Sequence, residues 1–141
     1  MFAEDLVMTG RLEIALNGAI VKEVPNLVVT SGKEYVASRM YDTSKNAMSH
    51  MAVGTSSTSP ASADTTLGSE ANRQLLTSTT VTDNTVTYVA TFDPGEGTAA
   101  LTEAGLFNAA SGGDMLCRTT FSVINKGASD SMTITWVITV S

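Results

Sequence analysis

Residues 131–141, SMTITWVITVS, decide the fold class. Met132, Ile134, Trp136, Ile138 and Val140 fall on one side of an extended chain, and Thr133, Thr135, Val137 and Thr139 fall on the other. Large apolar side chains at strict period two, with β-branched residues between them, predict a strand with one buried face. A strand at a chain terminus is ordered when it pairs, so this one is expected inside a sheet. Its second face carries threonine and valine where an ordinary solvent face carries lysine and glutamate. That face is either a threonine-rich β surface or a contact with another subunit, and Thr133, Thr135, Val137 and Thr139 are the candidate contact residues.

The same alternation recurs upstream. QLLTSTTVT and TVTYVATF, joined through Asp83-Asn84, predict a hairpin over 74–92, with Val86, Tyr88, Ala90 and Phe92 on one face. In 102–121, TEAGLFNAASGGDMLCRTTF, strands are expected at 104–109 and 115–121. The connection ASGGD places Gly112 and Gly113 at positive φ, and Asp114 closes the turn. TGRLEIALNGAIVKEV (9–24) reads as a hairpin turning at Asn17-Gly18, a type I′ signature, with Pro25 ending the ladder or marking an edge. NLVV (26–29) is a short extended piece and AMSHMAVG (47–54) a strand.

One helix is expected, over 31–41 in TSGKEYVASRMY. Ser31 and Glu34 have capping-box spacing, and Val36, Met40 and Tyr35 form its apolar stripe. TSSTSPASADTT (55–66) is a polar loop, followed by a weak helical turn at 65–71 capped by Thr65 or Thr66. The sum is about eight strands and one short helix. The expected fold is mainly all-β, an antiparallel β-sandwich of jelly-roll-like type. Residues 9–141 make one sandwich domain and 1–8 an N-terminal arm. Phe2, Leu6, Val7 and Met8 of that arm are apolar enough to dock on a neighbouring subunit; covering the chain's own sheet is the alternative.

The 141 residues carry a formal net charge of −6 and only 16% charged side chains. An acidic surface repels phosphate backbones and gives no attraction to an anionic membrane, so neither direct nucleic-acid nor membrane binding is expected. No apolar run is long enough for a transmembrane helix. MFAEDLVMTG has acids where an export signal needs lysine or arginine. Cys117 is the single cysteine, expected as a small buried apolar residue.

Catalytic chemistry finds little to work with. His50 is the single histidine, without a second ligand or a nucleophile at recognisable spacing. Most aspartates fall in turns, where the side chain accepts nearby backbone N–H groups. Glu103 differs: it precedes an apolar run and is followed by Ala104-Gly105, which permit close backbone approach. The reading is a structural ion pair with one of two arginines. Arg73 is the first choice, in a partly buried pair fixing the loop before AGLF; Arg118 is the other. No catalytic residue, metal or cofactor is expected.

NLVVTSGKEYVASRM, MAVGTSSTSPASADTTLGSEANR, TEAGLFNAASGGDMLCRTTF and NKGASDSMTITWVITVS together resemble a family of bacteriophage virion structural proteins. The resemblance runs from about residue 26 to the end. More loosely, the chain is similar to the N-terminal attachment part of tail-collar fibre proteins, through Glu103-Ala104-Gly105-Leu106-Phe107. The resemblance implies a non-enzymatic β module, located in the virion and assembled in the host cytoplasm. Its partners would be other virion proteins, the major capsid protein or tail proteins, and it would form a homo-oligomer, dimer or trimer. No shaft or distal domain is expected after the final strand. A capsid cement (decoration) protein is therefore favoured over a tail component such as a fibre attachment, adaptor or baseplate subunit. A carbohydrate-binding sandwich is the remote alternative.

Overall fold

The computed structural model describes residues 5–41 and 44–141, so Phe2 lies outside the described residues. The strands are β1 (Met8–Leu16), β2 (Ala19–Pro25), β3 (Leu27–Val28), β4 (His50–Gly54), β5 (Glu70–Leu75), β6 (Ser78–Thr82), β7 (Thr85–Phe92), β8 (Ala99–Phe107), β9 (Met115–Lys126) and β10 (Met132–Val140). One helix, α1 (Thr30–Ser38), follows β3. The strands form two five-stranded antiparallel sheets, in the orders β2-β1-β10-β7-β6 and β3-β9-β8-β4-β5. The expected β-sandwich is therefore present, with ten strands among the described residues instead of about eight.

The last strand sits at the centre of the first sheet because its apolar face is the most continuous in the chain. Leu12, Ile14, Ala90, Phe92, Met132, Ile134, Trp136 and Ile138 from that sheet meet Met51, Val53, Ala104, Leu106 and Cys117 from the other, all buried in one core. β10 is hydrogen-bonded to β1 on one side and β7 on the other, with Trp136 opposite both Leu12 and Tyr88. Neither of its edges is open, so no neighbour can extend the sheet through the last strand. Val7 and Ser141 exchange backbone hydrogen bonds of 2.7 and 2.8 Å. The end of the arm thus continues β1 along β10 within its own sheet.

Turn chemistry follows the sequence. Asn17 (φ 51°) and Gly18 (φ 84°) make the β1–β2 turn, and Gly112 (φ 60°) and Gly113 (φ 76°) make the β8–β9 connection. The Asp114 backbone N–H donates to the Asn108 side chain at 2.7 Å and closes it.

Four local expectations are corrected. The helix has no side-chain cap at its N-terminus. Ser31 instead donates its hydroxyl to the Met115 carbonyl (3.0 Å), tying the helix to the second sheet. The helix ends at Ser38, so Met40 lies beyond it and is 85% exposed, while Tyr35 is buried and Val36 packs on the core. Gly32 allows the close seat: a Cβ there would collide with the Leu116 carbonyl. Residues 70–75, placed in a weak helical turn and the start of the next strand, form β5 on the edge of the second sheet. β8 begins at Ala99 and β9 runs to Lys126, so both are longer than the apolar runs alone suggest.

Burial in this core pushes the Tyr88 phenol up from 10.0 to about 12, with the Cys117 thiol and Tyr35 adding to the effect. A folded pKa above the unfolded one means the folded state holds the proton more tightly. The resulting stability is fully present below pH 10 and lost as pH rises to about 12. Denaturant midpoints measured across that window are expected to fall in the parent chain and to fall less in Tyr88→Phe. Equal slopes would show that Tyr88 does not control alkaline unfolding.

Candidate functional site: a buried carboxylate that holds the long loop

Glu103 lies on β8 between Gly54 of β4 and Thr120 of β9, and its side chain points to the outer face of the second sheet. Gly54 has no side chain to obstruct it; a Cβ there would collide with the Ser69 carbonyl. The carboxylate is fully buried, yet both oxygens are satisfied. Oε2 accepts from the backbone N–H groups of Ser56 (3.0 Å) and Ser69 (2.7 Å), and Oε1 accepts from Gly68 N–H (2.8 Å). Arg118 donates Nε and Nη2 to Oε1 at 3.2 and 3.0 Å.

Arg118 is only 2% exposed and lies two positions diagonally across the β8–β9 ladder, opposite Gly105. Its remaining donors reach the same loop. Nη2 donates to the Thr58 carbonyl (2.9 Å) and Nη1 to the Asp64 carboxylate (3.0 Å). Asp64 in turn accepts from Ala61 N–H at 2.8 Å. Thr102 donates its hydroxyl to the Ser56 carbonyl (2.8 Å), and Thr30 N–H to the Ser62 carbonyl (2.8 Å).

The polar segment 55–69 is thus folded flat over the sheet by an ionic centre beneath it. Both ends are held by Glu103 and the middle by Arg118. Beside that centre a second apolar cluster fills the space under the loop: Val29, Ala52, Leu67, Phe107 and Met115. Buried charges persist where each is paired and hydrogen-bonded, and here every bond ends on the loop or the sheet.

Arg73 is not the partner of Glu103. It sits on β5 opposite Ala52, pairs with Glu70 at 2.7 Å, and lies over the Phe107 ring with its guanidinium 3.8 Å from the centroid. It also donates to the Ala109 and Gly112 carbonyls, both at 2.9 Å, and so holds the β8–β9 turn. Two arginines therefore fix two loops over one sheet. Glu103 pairs with Arg118, is buried throughout, and holds the 55–69 segment instead of the loop before AGLF.

His50 Nδ1 lies 2.7 Å from the Ser49 hydroxyl. Burial, then the nearby Arg73 charge, lowers its pKa from the ordinary histidine value. Burial pushes the Cys117 thiol well up, opposing thiolate formation. Among the described residues, no three His, Cys, Asp or Glu side chains converge to hold a metal ion.

The candidate contact residues fall on two surfaces. Leu6 (80% exposed), Val7 and Met8 line a groove of about 520 Å³ with Lys33, Val36, Ala37 and Met40. Thr133, Thr135, Val137 and Thr139 are half-buried on the outer face of the first sheet, opposite Thr91, Val89, Thr87 and Thr85 of β7. Compared with known proteins, the chain matches no family model, no curated protein and no solved structure.

Proposed function

We propose that this chain is a non-enzymatic structural protein of a bacteriophage particle, a capsid cement protein that bridges capsomers on the head. One observation carries the reading. The motifs behind the resemblance, GTSSTSPASADTTLGS, TEAGLF and MLCRTTF, are the segments that Glu103 and Arg118 bind into one unit. Two charges that are almost wholly buried, Glu103 and Arg118, tie a surface loop to the sheet, which suits a part that must present a fixed shape to neighbours.

The particle-facing surface in this reading is the groove between the arm and α1, with Leu6 and Met40 as its exposed apolar groups. The threonine face of the first sheet is the second contact. The groove has Lys33 as the one charged residue of its lining, so a protein partner such as the major capsid protein can approach it without desolvating many ions, whereas the threonine face is bordered on β1 by Arg11 and Glu13.

Quantitative mass spectrometry of purified particles tests the reading. Copies in the hundreds mean the head, copies in single digits to dozens mean a tail component, and absence contradicts both. Leu6→Asp is expected to lower the copies per particle several-fold while leaving the melting temperature of the isolated protein unchanged, because Leu6 makes little contact with its own core. Incorporation equal to the parent chain would remove the arm from the contact surface.

A further inference from the structure

Four strands lie at sheet edges, and three of them are guarded. β2 carries Lys22, Glu23 and Pro25, and its pairing with β1 shifts register at Ile14/Ala15. β3 has two residues. β5 carries the Glu70–Arg73 ion pair. Charges, proline, irregular register and shortness are the ordinary protections against edge-to-edge pairing.

β6 has none of these. Its five residues, Ser78–Thr82, are all exposed, and Val81 is 68% exposed. The uncharged run extends from Gln74 to Thr82, in a chain whose net charge is −6. The strand is regularly paired with β7 along its whole length, so the opposite edge offers a straight row of backbone donors and acceptors.

We propose that β6 is a self-pairing edge. Two copies join β6 to β6 antiparallel about a two-fold axis through Thr80, making one ten-stranded sheet from two five-stranded ones. The register places Thr80 opposite Thr80 of the second copy, Val81 opposite its Thr79, Thr82 opposite its Ser78, and Asp83 opposite its Thr77. No charge meets a like charge.

That neutrality is what selects a second copy as the occupant. Two copies of an acidic chain repel through most surfaces, and at a two-fold contact every charge near the axis meets its own image. An uncharged edge is the one place where this penalty vanishes. Ser78, Thr80 and Thr82 share a face with Val89, Thr87 and Thr85, so the joined sheet presents one continuous threonine-rich surface across both copies. The proposal does not rest on the virion reading, because the isolated chain tests it.

Sedimentation equilibrium of the full chain is expected to show a monomer–dimer equilibrium. Thr80→Lys, which places two lysines face to face at the axis, is expected to weaken dimerisation about ten-fold or more. Under mild oxidation Thr80→Cys is expected to form a disulfide dimer faster than Lys22→Cys on the opposite edge, since residues facing each other across the axis lie within disulfide reach. Cys117 is buried and does not compete. A parent chain that stays monomeric at every concentration overturns the proposal. So does a dimer that Thr80→Lys leaves unchanged, or cross-linking no faster at Thr80 than at Lys22.

Discussion

A Glu103→Gln variant is expected to be less stable than the parent chain by about 3–5 kcal/mol, because it removes one partner of a buried ion pair. For a chain of this size that corresponds to a fall of roughly 10–20 °C in melting temperature. Glutamine keeps the shape but not the charge. Its amide NH2 group donates and cannot accept, so it must face, donor to donor, one of the groups that the carboxylate satisfied: the Ser56, Gly68 or Ser69 N–H, or the Arg118 guanidinium. Arg118 is left as a buried cation with Asp64 as its remaining acid.

The damage has a specific place. Amide hydrogen exchange is expected to quicken at Ser56, Gly68 and Ser69 before it quickens in β10, since these three amides lose their acceptor while the core strands keep theirs. Adding Arg118→Met to Glu103→Gln is expected to recover part of the lost stability, because the uncompensated cation is then gone. A Glu103→Gln variant within about 1 kcal/mol of the parent, with loop exchange unchanged, would show that the ionic centre does not hold the loop.

Trp136→Ala is expected to cost about 3–5 kcal/mol as well, by a different route. Trp136 is the largest fully buried side chain and sits on the central strand of the first sheet, where Leu12 and Tyr88 flank it in the ladder. Its removal opens a cavity between the sheets that the β10 backbone, fixed on both sides, cannot collapse to fill. The indole Nε1 is buried without a hydrogen-bond partner among the described residues. Trp136→Phe therefore loses volume but also relieves an unpaired donor, and is expected to cost less than half as much as Trp136→Ala. Equal costs for the two variants, measured by denaturant unfolding, would contradict that account of the site.

The elements that sequence revealed are those whose burial is written as alternation. β10, β7 and β1 each face the core with every second residue, and the Asn17-Gly18 and Gly112-Gly113 turns demand a backbone that few other residues adopt. β5, EANRQL, was illegible for the opposite reason. Its outward side chains are polar and find partners: Arg73 lies over Phe107 and bonds two carbonyls of the β8–β9 turn. A strand stabilised this way has no period-two apolar signal. The helix cap failed because Ser31 found the better acceptor in a distant strand, at Met115.

Glu103 stood out from sequence alone, but its partner did not. The choice between Arg73 and Arg118 depends on strand register, and both arginines precede or enter apolar runs. A usable signal was present in the β8–β9 hairpin. Centring the turn on the glycines puts residues 103 and 118 on the same face; the actual register, with Arg118 opposite Gly105, then brings them two positions apart across the ladder. The three backbone donors from the loop had no such signal, since they come from 34 to 47 residues away in sequence.

In the function proposed above, this two-sheet module holds neighbouring subunits in a bacteriophage particle. A three-dimensional reconstruction of intact particles tests it most directly. The account predicts density for two packed five-stranded sheets on the outside of the head, repeated about the capsid symmetry axes, with the arm–α1 groove against the shell. Particles that lack this chain altogether would contradict it.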